Sequence, residues 1–227
     1  MELNHHPSMS TLADFTLGTT SNIGDLVIQA HLSACGECRE AVKDMESLGG
    51  ELMMQGGHIS PKIDFGLRKE GLRICQEYEN QSKDEDNASL KLSRVGDLEK
   101  GSELGDLFST YLDCSFEALP WKKAGKNIRV CKLRREKDRS LWMIRGEPGA
   151  KLPAHSHGGQ ELTLILKGSY ACSSQIYSKG DLHECDEEGA HQPIIIGKEE
   201  CVSLVATEGK LKFEHWIPRL LQPLIGV

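Results

Sequence analysis

The chain has 227 residues and a formal net charge of −7, and 38% of its residues are hydrophobic. This length fits one large or two small domains, and the 23 glycines bring the apolar fraction close to the average for globular proteins. No run of 18 apolar residues is present, which excludes a membrane-spanning helix. The first residues also lack the basic and apolar regions of a signal peptide. We therefore expect a cytoplasmic protein whose eight cysteines are reduced or bind metal.

The charge is distributed unevenly along the chain. Residues 1–95 contain 9 basic and 15 acidic side chains, a net charge of −6, whereas residues 96–227 contain 18 and 19, a net charge of −1. Binding to a phosphate backbone requires the opposite sign, so we expect no direct contact with nucleic acid. An acidic N-terminal half suits a basic protein partner.

Three helices are predicted in the first fifty residues. The first ends at Gly18, the second is capped by Thr20 or Ser21, and the third stops at Gly49 and Gly50. Their apolar side chains recur at helical spacing: Leu12, Phe15 and Leu17 in the first, Ile23, Leu26, Val27, Ala30 and His31 in the second, and Cys38, Val42, Met45 and Leu48 in the third.

The turn between the second and third helices carries an H-x3-C-x2-C motif formed by His31, Cys35 and Cys38. Thiolate and neutral imidazole are ligands that Zn²⁺ selects, and two cysteines at this spacing can reach one ion. The positive end of the third helix is expected to favour thiolate before metal arrives. A tetrahedral site needs a fourth ligand, which His5-His6 could supply. The alternative is a core histidine and two buried cysteines without metal.

This arrangement resembles the zinc-binding anti-sigma domain, in which a distant N-terminal histidine and an H-x3-C-x2-C motif hold one zinc ion in a small helical bundle. The resemblance covers about residues 1–85. It implies that His6 is the fourth ligand, that the zinc is structural, and that the bundle binds an extracytoplasmic-function sigma factor.

Residues 61–80 are predicted to form a further helix, which Gly66 and Gly71 weaken by about 1 kcal/mol each relative to alanine. Such a helix could order on a partner or be held by tertiary packing, and the sequence does not separate these two readings. The composition turns polar from 81 to about 103. We predict a linker at 86–103, because a segment of this kind buries too little apolar surface to fold alone.

The remaining segment, 104–227, is predicted to be rich in β-strands. Short β-prone runs alternate there with turn signals: Ile128–Leu133, Leu141–Ile144, Leu162–Leu166, Ala171–Tyr177, Pro193–Ile196, Cys201–Ala206 and Leu211–Trp216. Seven short strands at such spacing favour a sandwich or a barrel.

A second group of metal-ligand residue types lies among these strands. His155 and His157 point to one side of an extended chain because side chains alternate, and Glu161 follows in the next strand. His191 lies eleven residues after Gly180. Histidine with one carboxylate suits Zn, Fe, Mn, Ni or Cu, so we expect one divalent metal here.

The second half resembles the cupins over about residues 104–218. The first cupin motif, G-x5-H-x-H-x3-E-x6-G, is matched by Gly149, His155, His157, Glu161 and Gly168. The second motif departs from the family, because Asp186, Glu188 and Ile195 stand where cupins often have proline, glycine and asparagine. This departure puts the placement of His191 in question. The alternative is a metal-free cupin, which would leave buried polar groups unpaired.

The two halves together predict an α + β protein of two domains, a small zinc-binding helical bundle followed by a cupin β-barrel of the double-stranded β-helix or jelly-roll kind. They resemble the ChrR type of anti-sigma factor over nearly the whole chain. That resemblance implies a non-enzymatic regulator that inhibits a sigma factor and releases it when the cupin responds to an oxidative signal such as singlet oxygen or an organic peroxide. The oligomeric state stays open from the sequence, with a homodimer through the cupin as one alternative, because cupins often pair through sheet edges.

Three other interpretations stay open from the sequence. The zinc thiolates could themselves be the redox switch. The cupin could be a metal-dependent enzyme, dioxygenase-like, with an accessory helical domain, since one scaffold hosts many chemistries. Finally, the cupin could sense or store metal.

Overall fold

The computed structural model describes residues 3–55, 118–156, 158–185, 190–209 and 212–213. Three helices come first: α1 (Met9–Leu17), α2 (Asn22–Ala34) and α3 (Gly36–Gln55). Eleven strands follow in these ranges: β1 (Lys122–Gly125), β2 (Ile128–Glu136), β3 (Arg139–Gly146), β4 (His155–Ser156), β5 (Glu161–Lys167), β6 (Ser169–Cys172), β7 (Gln175–Ser178), β8 (Leu182–Cys185), β9 (Ile194–Ile196), β10 (Cys201–Glu208) and β11 (Lys212–Phe213). This order confirms the predicted α + β class.

Capping residues set the ends of the first two helices. The Ser8 side chain accepts a hydrogen bond from the Thr11 backbone N–H at the start of α1, and Gly18 ends that helix in the left-handed region at φ 68°. Ser21 caps α2 by accepting from the Gly24 N–H at 3.1 Å. Gly18 and Ser21 agree with the predicted boundaries, whereas the cap at Ser8 was not predicted.

The predicted end of α3 at Gly49-Gly50 is wrong, because the helix continues to Gln55. Neither glycine has a positive φ in this structure, so both keep helical geometry at a cost of about 1 kcal/mol each. The residues that follow, Glu51 to Gln55, are good helix formers. Leu48, predicted to face inward, is 58% exposed.

The strands form a β-domain of antiparallel sheets. The larger sheet has six strands in the order β1-β2-β3-β10-β5-β8, and the others have the orders β7-β6-β9 and β11-β4. Side chains of the first two sheets share one hydrophobic cluster that includes Ile165, Tyr170 and Ile195. The predicted single strand Ala171–Tyr177 is instead the hairpin β6–β7, which turns at Ser173 with a φ of 55°. Strands β1, β4 and β8 were not predicted because they contain no β-branched, Tyr, Phe or Trp residues.

The helical bundle, formed by α1–α3 and the segment before them, packs directly on the larger sheet. Val27 and Ile28 of α2 are fully buried. They belong to one hydrophobic cluster with Leu162, Leu164 and Leu204 of β5 and β10. The predicted division of the chain into residues 1–85, 86–103 and 104–227 remains a prediction, because 56–117 lie outside the described residues.

The predicted helix at 61–80 also lies outside the described residues. Among the helices that the structure describes, none is both long and apolar enough to cross a membrane.

Candidate metal centres

The four predicted ligands of the helical bundle come together at the junction of α2, α3 and the chain start. One ligand atom each of His6, His31, Cys35 and Cys38 lies within 4.8 Å of the other three. The Nδ1 atom of His6 is 3.3 Å from both sulfur atoms. Cys35 ends α2 and Cys38 lies in the first turn of α3, so the motif spacing brings both thiols to one point.

The geometry and the donor set fit a zinc ion. With Zn–S near 2.3 Å and Zn–N near 2.0 Å, two ligand atoms of a tetrahedral site lie roughly 3.5 Å apart, which is close to the observed separations of 3.3 Å. Across the described residues, the buried Nε2 atom of His31 has no hydrogen-bond partner. A buried polar atom of this kind normally has a partner, and a metal would supply one.

Both histidines of this group are held in a ligand-competent form. The Nδ1–H of His31 donates to the backbone carbonyl of Gly180 at 2.9 Å, which leaves Nε2 as the ligand atom. Burial lowers the pKa of His31 to about 4, so its imidazole is neutral at pH 7. The Nε2 atom of His6 lies 3.6 Å from the Glu37 carboxylate, and its Nδ1 atom faces the thiols.

The expectation that the helix end favours thiolate is wrong for Cys38. Burial raises the pKa of its thiol to about 12, and the hydrogen bond with Cys35 acts in the same direction. The helix N-terminus contributes only a partial charge, and desolvation of the thiolate outweighs it. Binding of a metal would therefore displace protons from this site.

The β-domain supports the first ligand group through the turn between β7 and β8. The buried carboxylate of Asp181 accepts hydrogen bonds from the backbone N–H groups of Asn4, His5 and Ser178 at 2.9–3.2 Å, and His5 Nδ1 lies 3.3 Å away. Burial acts to raise the pKa of Asp181, but these donors outweigh it and hold that pKa below its usual value. Together with Gly180, this turn fixes both His31 and the segment that carries the ligand His6.

Strand β8 continues these contacts to α1. The Glu184 carboxylate accepts from the Ser8 N–H at 2.8 Å and from the Thr11 hydroxyl at 2.6 Å. On its other side β8 pairs with β5, where Cys185 lies opposite Glu161. One strand therefore contacts both the helical bundle and a residue of the second ligand group.

The second group contains three of the four predicted ligands. One ligand atom each of His155, Glu161 and His191 lies within 4.8 Å of the other two. His155 and His191 exchange two backbone hydrogen bonds of 3.1 and 2.9 Å. This bridge sets the position of His191 despite the altered second motif. The fourth predicted ligand, His157, lies outside the described residues.

Burial dominates the electrostatics of the second group. It raises the pKa of Glu161 to about 7, although the Thr163 hydroxyl donates to its carboxylate at 3.1 Å. Burial also lowers the pKa of His155, whose Nδ1–H donates to the Pro153 carbonyl at 2.7 Å. A nearby cation would offset the cost of the buried carboxylate charge, so the donor set fits a divalent metal.

The space beside this group is small. A cavity of about 30 Å³ is lined by His155, Glu161, Tyr170 and apolar side chains such as Ile195. This volume holds about one water molecule. A ligand of the size of water or dioxygen fits there, whereas a typical small-molecule site measures about 300–1,000 Å³.

Sequence reasoning missed the residues of the β-domain that support the first group. Asp181 and Glu184 make contacts across more than 170 positions of the chain, and no local spacing predicts such contacts. Gly180 was noted only for its spacing to His191.

Comparison with known proteins adds three findings. Residues 111–211 match the family model described as the ChrR Cupin-like domain. The whole chain is 28% identical over 230 residues to the anti-sigma-E factor ChrR of Cereibacter sphaeroides, covering 100% of both chains. The crystal structure of Rhodobacter sphaeroides SigE in complex with the anti-sigma ChrR contains a similar fold, with a TM-score of 0.66 and 24% identity, covering 91% of this chain and 100% of that chain. These findings confirm the resemblance to the ChrR type predicted from the motifs.

Proposed function

Because this chain resembles the ChrR-type anti-sigma factors from end to end, we propose that it is a cytoplasmic anti-sigma factor. Its helical bundle binds and inhibits an extracytoplasmic-function sigma factor, and its cupin-like β-domain senses an oxidative signal and promotes release. The observation that carries this proposal is the cluster of His6, His31, Cys35 and Cys38 within 4.8 Å, in a chain similar to ChrR over its whole length. The direct test is co-expression with a candidate sigma factor, followed by pull-down and metal analysis.

The four N-terminal ligands would hold a structural zinc ion, which would supply a cross-link between three chain segments. His6 precedes α1, His31 and Cys35 end α2, and Cys38 begins α3. A closed site of this kind contributes folding free energy in addition to the packing of the bundle on the larger sheet. The residues thereby fix the relative positions of the helices that form the binding surface.

An exposed apolar face on α1 and α3 supports a protein partner. Its members are Met9, Leu17, Leu48, Leu52, Met53 and Met54, each at least 58% exposed. Exposed apolar patches rimmed by polar residues mark protein interfaces. Helix α3 also carries five acidic and two basic side chains, which suits a basic partner surface.

Replacing Leu52 with aspartate is expected to weaken capture of the sigma factor by about 10–100-fold, because a charge would enter a desolvated apolar contact. Zinc content should not change, since Leu52 is 60% exposed and belongs to neither ligand group. The matched control is Ile176→Asp on β7, which is 56% exposed. Equal binding by both variants would exclude this face as the interface.

The signal would reach the bundle through β8. A change at Glu161 alters β5, which pairs with β8. The N-terminal segment is held by Asp181 in the turn that precedes β8 and by Glu184 of β8. A signal shifts the complex only by its differential free energy between the bound and released states, and a tenfold release needs about 1.4 kcal/mol.

Replacing Glu161 with glutamine is expected to remove the cupin metal while leaving one zinc per chain, because only the second ligand group loses its charged ligand. Metal analysis of the purified variant gives the stoichiometry. The sigma factor should still be bound, and exposure to a peroxide should no longer release it. Normal release from this variant would remove the cupin group from the mechanism.

An enzymatic role is less well supported than a regulatory one. The relative that covers the whole chain is an anti-sigma factor, and the cavity beside the second group holds about one water molecule. Steady turnover of a small substrate by the purified protein, without binding of a sigma factor, would favour the dioxygenase-like alternative. Pairing of two copies through sheet edges stays a prediction that the oligomeric state in solution tests.

A further inference from the structure

The first three strands carry a concentration of positive charge that neither metal group explains. Residues 118–147 contain ten basic and three acidic side chains, a net charge of +7, whereas the whole chain carries −7. A surface with this sign attracts anions and raises their local concentration.

Three of these cations lie directly opposite one another on neighbouring strands. Lys123 of β1 pairs with Arg129 of β2, and Arg129 pairs with Arg145 of β3. Opposite residues in a sheet point to the same face, and like charges in this arrangement are destabilising. Glu200 offsets part of the repulsion, since its carboxylate forms ion pairs with Arg145 and Lys167.

The other two cations of this row, and the nearby Lys126, lack a carboxylate partner among the residues that the structure describes. Within the described part of the chain, Lys123, Lys126 and Arg129 form no ion pair and no side-chain hydrogen bond. The pairs that do form use other cations of the β-domain. Among the described residues, these three positive charges therefore have no ion-pair partner.

These cations line an open cavity of about 480 Å³. Its walls include Trp121, Lys123, Lys126, Arg129 and Arg145. Two carboxylates, Glu147 and Glu200, also line the cavity. Because four cations outnumber them, the lining keeps a net positive charge. This volume lies in the usual range of small-molecule sites, about 300–1,000 Å³.

We propose that this cavity binds a small multivalent oxyanion, a phosphate ester or a polycarboxylate. Arginine presents a planar fork of donors that matches both phosphate and carboxylate, and lysine adds point charges. A bound dianion would offset the repulsion along the row Lys123, Arg129 and Arg145. None of the lining residues belongs to either metal group, so the site is independent of the metals.

The test is calorimetric titration of the full-length protein at low ionic strength with glycerol 2-phosphate and, separately, with succinate. Saturable binding with a dissociation constant of about 1 mM or tighter is expected, and binding of only one probe would identify the anion class. Whichever probe binds should also raise the thermal unfolding midpoint of the protein, since a ligand of the folded state stabilises that state.

Replacing Arg129 with alanine is expected to weaken this binding by about tenfold, because one charge-assisted contact is lost. The matched control is Arg135→Ala, an exposed cation on the same strand that does not line the cavity. Without ligand, Arg129→Gln should not lower the unfolding midpoint, since it relieves like-charge repulsion. The proposal is overturned if neither probe binds saturably, or if Arg135→Ala weakens binding as much as Arg129→Ala does.

Discussion

Replacing Cys38 with serine is expected to abolish both zinc binding and capture of the sigma factor. The serine hydroxyl is a much poorer zinc ligand than thiolate, and the other three ligand residues cannot close a tetrahedral site. We expect the apparent zinc affinity to fall by more than about 100-fold, since even supporting residues contribute 10–100-fold. Metal analysis and pull-down with the sigma factor measure the two effects.

The matched control for this variant is Cys172→Ser. Cys172 is a buried thiol on β6 and belongs to neither ligand group. The Cys172→Ser protein should keep one zinc ion in the bundle and bind the sigma factor, although the buried hydroxyl lowers its stability. A Cys38→Ser protein that still captured the sigma factor without zinc would show that the metal is not part of the binding surface.

Replacing Asp181 with alanine is expected to release the N-terminal segment from the β-domain. Its carboxylate accepts from three backbone N–H groups of Asn4, His5 and Ser178, and unpaired buried donors cost about 1–3 kcal/mol each. Because the two residues before His6 are anchored there, zinc should transfer to a chelator about 10–100-fold faster. The transfer rate and the free energy of unfolding measure the two effects.

The control for this prediction is Asp138→Ala in the exposed turn between β2 and β3. It should change neither the zinc transfer rate nor the unfolding free energy by a measurable amount, since exposed substitutions usually shift stability by less than about 0.5 kcal/mol. If Asp181→Ala matched this control, the β7–β8 turn would not support the zinc site.

Local spacing predicted only the central members of each candidate ligand group, because both motifs place these members within a few residues. His31, Cys35 and Cys38 lie within eight positions, and the α2–α3 junction brings them together. His155 and Glu161 are likewise separated by one short loop. These arrangements depend on local backbone geometry, which residue periodicity describes well.

The failures of the sequence analysis have different physical causes. Gly49-Gly50 did not end α3, since the cost of glycine in a helix is small and the surrounding residues offset it. Burial raises the pKa of the Cys38 thiol, whereas the helix N-terminus alone was expected to lower it. The support given by Asp181 depends on packing of the bundle against the β-domain. Burial and long-range packing cannot be read from the spacing of residues in a single sequence.

The central claim is that one zinc ion, held by His6, His31, Cys35 and Cys38, maintains the surface that binds the sigma factor. The most direct measurement is removal of zinc from the purified complex with a strong chelator, followed by size-exclusion chromatography and metal analysis. We predict that loss of the zinc ion of the bundle frees the sigma factor and that added Zn²⁺ restores the complex. A complex that stays intact after this zinc has been removed would contradict the account.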